Sequence, residues 1–267
     1  MHLFDSHAHL ELVSDDPVEQ LLSVQEAKNV GVEAIVCICN NLNEFTVIYD
    51  QLIQEPTIFF SIGISPSEVM QLPVDWENRL AELAMRDRVV AIGEIGLDYF
   101  HKYGSRDLQI NLFVKQLEVA RKVGLPIIIH NRDAGQDVLS VLRDNLPKRG
   151  GVLHCYSEDL EFAMQALELN LFISFAGNVT YHSSRKLQKV ASSIPLDRLL
   201  IETDTPFMPP SSHRGNRNRP SFIEETASFI AELRDLPAEE FADAVSVNSR
   251  HFFKLNDKLE AITTSND

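Results

Sequence analysis

Six side chains able to hold a metal ion recur where short apolar runs stop. His7 and His9 follow the first run, Glu94 ends the fourth, His130 and His154 end the fifth and sixth, and Asp204 follows the eighth. Glu94 poses the problem most sharply. It leaves the stretch Val89-Val90-Ala91-Ile92-Gly93 as an ionised carboxylate, and a lone charge beside such a run carries a desolvation penalty far above ordinary packing gains. It needs a cationic partner, either a basic side chain in a salt bridge or a metal ion. His7 and His9 are two apart, so in an extended chain both imidazoles project to one face. His-x-His alone fits two exposed polar residues at a strand end equally well. Four histidines, a glutamate and an aspartate at one level on five of the eight runs do not, because clusters of that kind are rarely idle. The set exceeds what one ion needs, and two divalent ions bridged by a carboxylate would use all six.

The elements that must bring these groups to one level are eight apolar runs, at residues 2–6, 33–39, 57–63, 89–93, 126–130, 151–154, 171–175 and 198–202. Most lack alternation of polar and apolar residues, as parallel strands covered on both faces do, and they are too short for buried helices. Helical periodicity fills the intervals. Residues 106–123 give the clearest case, with Phe113, Leu117 and Ala120 on one stripe and Leu108 and Leu112 beside it. Asp133 followed by Gln136 reads as a helix N-cap with its capping-box partner. Two further helical patterns, split by Leu236-Pro237, occupy residues 221–255. Strand and helix alternating over this length, with no linker or repeat, predict a single-domain (β/α)8 TIM barrel over residues 1–260, with a polar tail at 261–267 whose last residues fray. The alternative, an open doubly wound sheet, lacks a Gly-rich dinucleotide fingerprint after any run. In a barrel, the six candidate ligands lie at the C-terminal ends of strands, where such folds assemble their sites.

The chain carries 24 basic and 39 acidic residues, a formal net charge of −15. That balance opposes sequence-independent adhesion to nucleic acid, which relies on Lys and Arg displacing counterions along the phosphates. A phosphate ligand here needs local positive charge, which bound divalent ions would supply. Cys37, Cys39 and Cys155 are too few and wrongly placed for a disulfide framework and read as reduced packing residues. No apolar run approaches the ~18 residues that span a bilayer, and the start lacks the layout of a secretory signal. The expectation is a cytoplasmic protein with no membrane contact and no obligate protein partner.

Five motifs, taken in order and spacing, resemble the TatD-related metal-dependent deoxyribonucleases, a branch of the amidohydrolase-like barrels. They are Asp5-Ser6-His7-Ala8-His9, Gly93-Glu94-Ile95-Gly96-Leu97-Asp98-Tyr99, the run from Pro126 through His130-Asn131-Arg132-Asp133-Ala134, Leu153-His154-Cys155-Tyr156 and Glu202-Thr203-Asp204-Thr205-Pro206. The likeness covers nearly the whole chain. It implies that His7, His9 and Asp204 hold one divalent ion, that His130 and His154 hold another, that Glu94 bridges them, and that DNA is the substrate, cleaved at phosphodiester bonds from the 3′ end. Two departures stand out. Where the family usually has Gly-x-His-Pro, this chain reads Gly63-Ile64-Ser65-Pro66, and Ser65 can donate a hydrogen bond to substrate but cannot act as an imidazolium. The loop resembling Arg-Gly-Lys-x-Asn-x-Pro reads Arg214-Gly215-Asn216-Arg217-Asn218-Arg219-Pro220.

That loop, residues 211–220, holds three Arg, His213 and no acid, and Arg214 and Arg217 are the candidates to meet phosphate oxygens in bidentate hydrogen bonds. Arg132 is expected to pair with Glu202, and Asp5 and Glu202 share strand parity with His7 and Asp204, making all three candidate supports for the ligands. Tyr99, Tyr156 and Phe207 lie just past ligand positions and could stack on a base or pack at the barrel rim. Asp204 is the expected proton acceptor for a metal-activated water. The ions are zinc, manganese, magnesium or iron. Two other functions fit the same ligands: hydrolysis of a small amide, lactone or ester, and a metal-binding module without catalysis. The first commonly bridges its ions with a carboxylated lysine, and no Lys occupies an expected strand end here.

Overall fold

Apolar runs without alternation need cover on both faces, and each becomes a strand flanked by helix. The computed structural model describes residues 1–255, so the boundary expected at residue 260 and the frayed tail lie outside the described residues. The strands are β1 (Leu3–Ala8), β2 (Val32–Cys39), β3 (Ile58–Ile62), β4 (Val89–Asp98), β5 (Ile127–Arg132), β6 (Gly151–Leu153), β7 (Phe172–Phe175) and β8 (Leu199–Ile201). They pair in parallel in sequence order. The ring closes just beyond β8, where Asp204 donates its N–H to His7 O at 2.9 Å and His9 donates to Thr205 O at 2.8 Å. Around this barrel run α1 (Pro17–Asn29), α2 (Leu42–Leu52), α3 (Trp76–Leu83), α4 (Arg106–Val123), α5 (Gly135–Asn145), α6 (Leu160–Glu168), α7 (Arg185–Ser193), α8 (Ile223–Leu233) and α9 (Ala238–Phe253).

Two apolar clusters follow from strand parity. One joins outward strand residues such as Leu3, Ile35, Phe60 and Ile127 to the helices, and the other fills the barrel with Phe4, Val36, Phe59, Ile128, Val152 and Leu200, plugged by Phe252 and Phe253 from the end of α9. Two of the parity slips bear on the candidate ligands. Ile92 and Ile95 both face the outer cluster although three apart, and the β4–β5 register shifts between them. Leu3 and Ala8 both face outward although five apart, and β1 shifts register between Asp5 and Ala8. Each shift inserts one extra residue, as a β-bulge does, and turns His7 or Glu94 inward. Gly93 and Gly96 permit the close approach to β5: a Cβ at Gly93 would stand 2.6 Å from Ile128 Cβ, and one at Gly96, with φ +149°, 2.0 Å from His130 O.

Two details correct the sequence reading. Asp133 does not cap α5, because β5 runs on through Arg132, which pairs with Asp98, and Asp133 turns into the left-handed region at φ 54°. The helix starts at Gly135, with Ala134 in the capping position and no side-chain cap. Leu108 is exposed, and the buried stripe of α4 carries Gln109 and Gln116 instead. Both glutamines clamp strand ends: Gln116 accepts from Ile64 N–H at 2.7 Å and donates to Ile64 O at 2.9 Å, and Gln109 does the same for Asp98, each at 2.8 Å.

Candidate metal centre

The bulges in β1 and β4 and the ends of β5, β6 and β8 aim six side chains at one point of the barrel mouth. His7 Nε2 and His9 Nε2 stand 3.2 Å apart. Glu94 Oε2 lies 3.7 and 3.6 Å from them, and Asp204 Oδ1 lies 3.7 and 3.8 Å from them. Glu94 turns its other oxygen to the second pair, touching His130 Nδ1 and lying 2.9 Å from His154 Nε2, with these two nitrogens 3.3 Å apart. His7 and His154 join the halves by stacking at 4.0 Å between centroids. Asp204 and Cys155 hold left-handed backbone, φ 56° and 40°, a conformation of order 1 kcal/mol or more above the ordinary regions and common at functional sites.

The donor set fits divalent ions. Ligand atoms at about 2.0–2.2 Å from one ion stand roughly 3–3.6 Å from each other, close to the 3.2–3.8 Å that separate His7 and His9 from each other, from Glu94 and from Asp204. The other ring nitrogens, His7 Nδ1 and His9 Nδ1, are buried without a hydrogen-bond partner, which leaves the Nε2 pair to face the cluster. His7, His9 and Asp204 form one group able to hold an ion, and Glu94, His130 and His154 form another; His7, His154 and Glu202 also lie close enough. Carboxylates stand on the far side of three imidazoles: Asp98 Oδ2 is 3.3 Å from His130 Nε2, Glu202 Oε1 is 3.3 Å from His154 Nδ1, and Glu11 Oε1 is 3.3 Å from His9 Nδ1, the last without hydrogen-bond alignment. Such outer carboxylates fix ring orientation in metal sites.

Burial and charge pull against each other here. Burial drives Glu94 upward, but His154 and His130 outweigh it and hold its carboxyl well below the usual range. Burial raises Asp204 to about 6 despite His154 and His9. Burial also keeps His7 well below an ordinary imidazole, with His154 and His9 adding repulsion. His9 is lowered by burial yet lifted to about 9 overall by Glu11, Glu94 and Asp204. A cleft of about 300 Å³ opens over His130, His154 and Asp204, with Arg132, Asn131 and Asn178 in its wall.

A family model described as TatD related DNase matches residues 4–254. The chain belongs to the TatD family of metal-dependent hydrolases. It is 37% identical to an uncharacterized metal-dependent hydrolase, YabD, of Bacillus subtilis, over 95% of this chain and all of the relative. It is 34% identical to the uncharacterized metal-dependent hydrolase YcfH of Escherichia coli, over 98% of this chain and all of that one. The crystal structure of the TatD homologue YJJV from Escherichia coli superposes with a TM-score of 0.87 at 29% identity, covering 94% of this chain and 98% of that one.

The remaining candidates divide. In this TatD chain Glu202 reaches the candidate ligand His154 and also accepts the Cys155 N–H at 2.7 Å. Its expected partner Arg132 is elsewhere, exposed with its guanidinium 4.6 Å above the Phe100 ring, because β5 carries it away from Glu202 past the barrel rim. Asp5 falls on the outer side of the β1 slip and anchors Thr203, through N–H at 2.9 Å and Oγ1 at 2.6 Å, instead of an imidazole. The Ser65 hydroxyl bonds only locally, accepting from Ser67. Arg214 lies 4.8 Å over the Tyr181 ring, Arg217 donates to Leu12 O, and Arg219 and His213 are held by Glu26 and Glu225. Tyr99 and Tyr156 spend their hydroxyls on Asp137 and Asp159 O, whereas Phe207 is half exposed, edge-on to His9. Sequence reasoning missed Asp98 and Glu11. Their signal was an acid four residues after Glu94 and another two after His9.

Proposed function

We propose that this chain hydrolyses phosphodiester bonds of DNA, acting from the 3′ end, with two divalent ions at the barrel mouth. The observation that carries the reading is the division of Glu94, one oxygen facing His7 and His9 and the other facing His130 and His154. His7, His9 and Asp204 would hold one ion, His130 and His154 the other, and Glu94 both. When bound, divalent ions supply positive charge to a phosphodiester and make a neighbouring water a far stronger acid. Asp204 accepts the proton that water gives up, since its carboxylate lines the cleft and sits among the ligands. Asp98 and Glu202 keep His130 and His154 from rotating. Arg214 and Arg217 have no carboxylate partner among the described residues, leaving guanidinium charge for phosphate oxygens. The family model's description as a DNase supports DNA as the substrate.

The test is to assay purified protein on 3′-labelled single-stranded DNA with magnesium, manganese or zinc, beside a panel of lactones and amides and an EDTA control. Shortening of the DNA is expected, with Asp204→Asn lowering turnover by at least about 100-fold. Turnover of the small molecules alone would overturn the reading in favour of the amide and lactone hydrolases.

A further inference from the structure

The loop between β4 and α4 presents aromatic side chains beside the cleft that hydrolysis as described does not use. Phe100 is 55% exposed and Tyr103 37%. His101 stacks on Tyr103, with centroids 5.2 Å apart at 24°, and meets Phe100 edge-on at 4.9 Å. Arg132, in the cleft wall with His130 and Asp204, lies over Phe100. The group is fixed in place. Asp98 accepts both the backbone N–H and the ring Nδ1 of His101 at 2.8 Å, and the same carboxylate reaches His130. Gly104 packs so closely that a Cβ there would stand 2.8 Å from Val69 Cγ1. Phe100, His101 and Tyr103 form one contiguous group of rings joined through Arg132 to the cleft wall, and a contiguous exposed group of that kind suits contact with a ligand.

We propose that Phe100, His101, Tyr103 and Arg132 form a platform for one unpaired nucleotide next to the scissile phosphate. The proposal rests on the reading of the substrate as a nucleic-acid strand. A base inside a duplex has both faces covered by its neighbours, so only a single-stranded or splayed base offers a π-face to these rings. The Arg132 guanidinium, planar and seated over Phe100 on a residue of the cleft wall, suits the adjoining phosphate. Overall charge points the same way: a protein at −15 lacks a long cationic track for a polyanion, and stacking on a short segment holds a strand without one.

The probe is a 5′-fluorescein thymidine decamer with phosphorothioate linkages, which resists cleavage, and a set of decamers with one abasic site stepped from the 3′ end. Affinity for the manganese-loaded chain is read by anisotropy. The wild type should lose about 5- to 100-fold at one abasic position, the range for a base stacked on aromatic rings. Phe100→Leu with Tyr103→Leu, which keeps bulk without a π-face, should bring that ratio below about twofold, and Phe100→Trp should keep it. Equal wild-type affinity for every decamer, equal affinity for a blunt duplex, or a ratio that survives both leucines overturns the platform. Cleavage of ordinary DNA alongside such a result leaves the hydrolysis reading standing, while the expected abasic loss, abolished by the two leucines, in a chain that cleaves no DNA overturns the hydrolysis reading alone.

Discussion

Replacing Asp98 by Ala should weaken one ion site and spare the other. Asp98 is 2% exposed, and its Oδ2 sits 3.3 Å from His130 Nε2 and 2.8 Å from His101 Nδ1. His130 presents its other nitrogen to Glu94, so the carboxylate behind the ring sets the angle at which Nδ1 arrives. Loss of such a support typically costs 10- to 100-fold in metal affinity, or about 1.4–2.7 kcal/mol. None of the hydrogen bonds or ion pairs of His7, His9 and Asp204 involves Asp98, so their ion should stay. Asp98→Asn keeps the shape and one acceptor while losing the charge, and should fall between wild type and Ala. Competition against a chromophoric chelator, with ions per chain counted by mass spectrometry, separates the two sites. A loss shared equally by both ions, or no loss at either, would refute an orienting role for Asp98.

Glu94→Gln should remove at least one ion per chain while the circular dichroism spectrum stays native, because a neutral amide bridges two cations poorly. Full metal content in that variant would return Glu94 to being a salt-bridge residue. Gln116→Leu leaves Ile64 N–H and C=O, both buried, without partners, and should cost about 2–5 kcal/mol, read as a lower urea midpoint at unchanged slope. An unchanged midpoint would mean water replaces the amide. Ions that bind only the folded chain stabilise it by mass action, so each ion at a free concentration of 100 times its Kd should add about 2.7 kcal/mol, and EDTA should lower Tm by roughly 5–10 °C for each ion removed. A melting curve indifferent to EDTA would contradict ion binding at the barrel mouth.

Eight strands were legible because parallel strands buried on both faces leave continuous apolar runs, and the six side chains that converge at the barrel mouth were legible because chemically distinctive residues stopped those runs. The supports were not. Gln109 and Gln116 look like the polar face of any amphipathic helix, and only tertiary structure reveals that each amide meets one donor and one acceptor of a strand end. Asp98 and Glu11 are two acids among 39. Parity argued for Asp5 facing inward with His7, and the bulge in β1 broke it. Arg132 failed as a partner for Glu202 for another reason: alternation fixes a side chain's face but says nothing of where a strand ends, and β5 ran on two residues past His130.

The seam where β1 meets the chain beyond β8 sets a timetable. Asp5 and Thr203, whose side chains lock it, are 198 residues apart, and Asp204 bonds across it to His7. At about 5–20 residues per second of synthesis, the amino-terminal histidines wait roughly 10–40 s for their aspartate to leave the ribosome. Throughout that interval the first strand has an open edge. An ion spanning the seam would act as a clasp between the two ends of the sheet, fastened last and holding a loop of nearly the whole chain, so that metal supply would bear on how often the nascent protein finishes folding as well as on what it does afterwards.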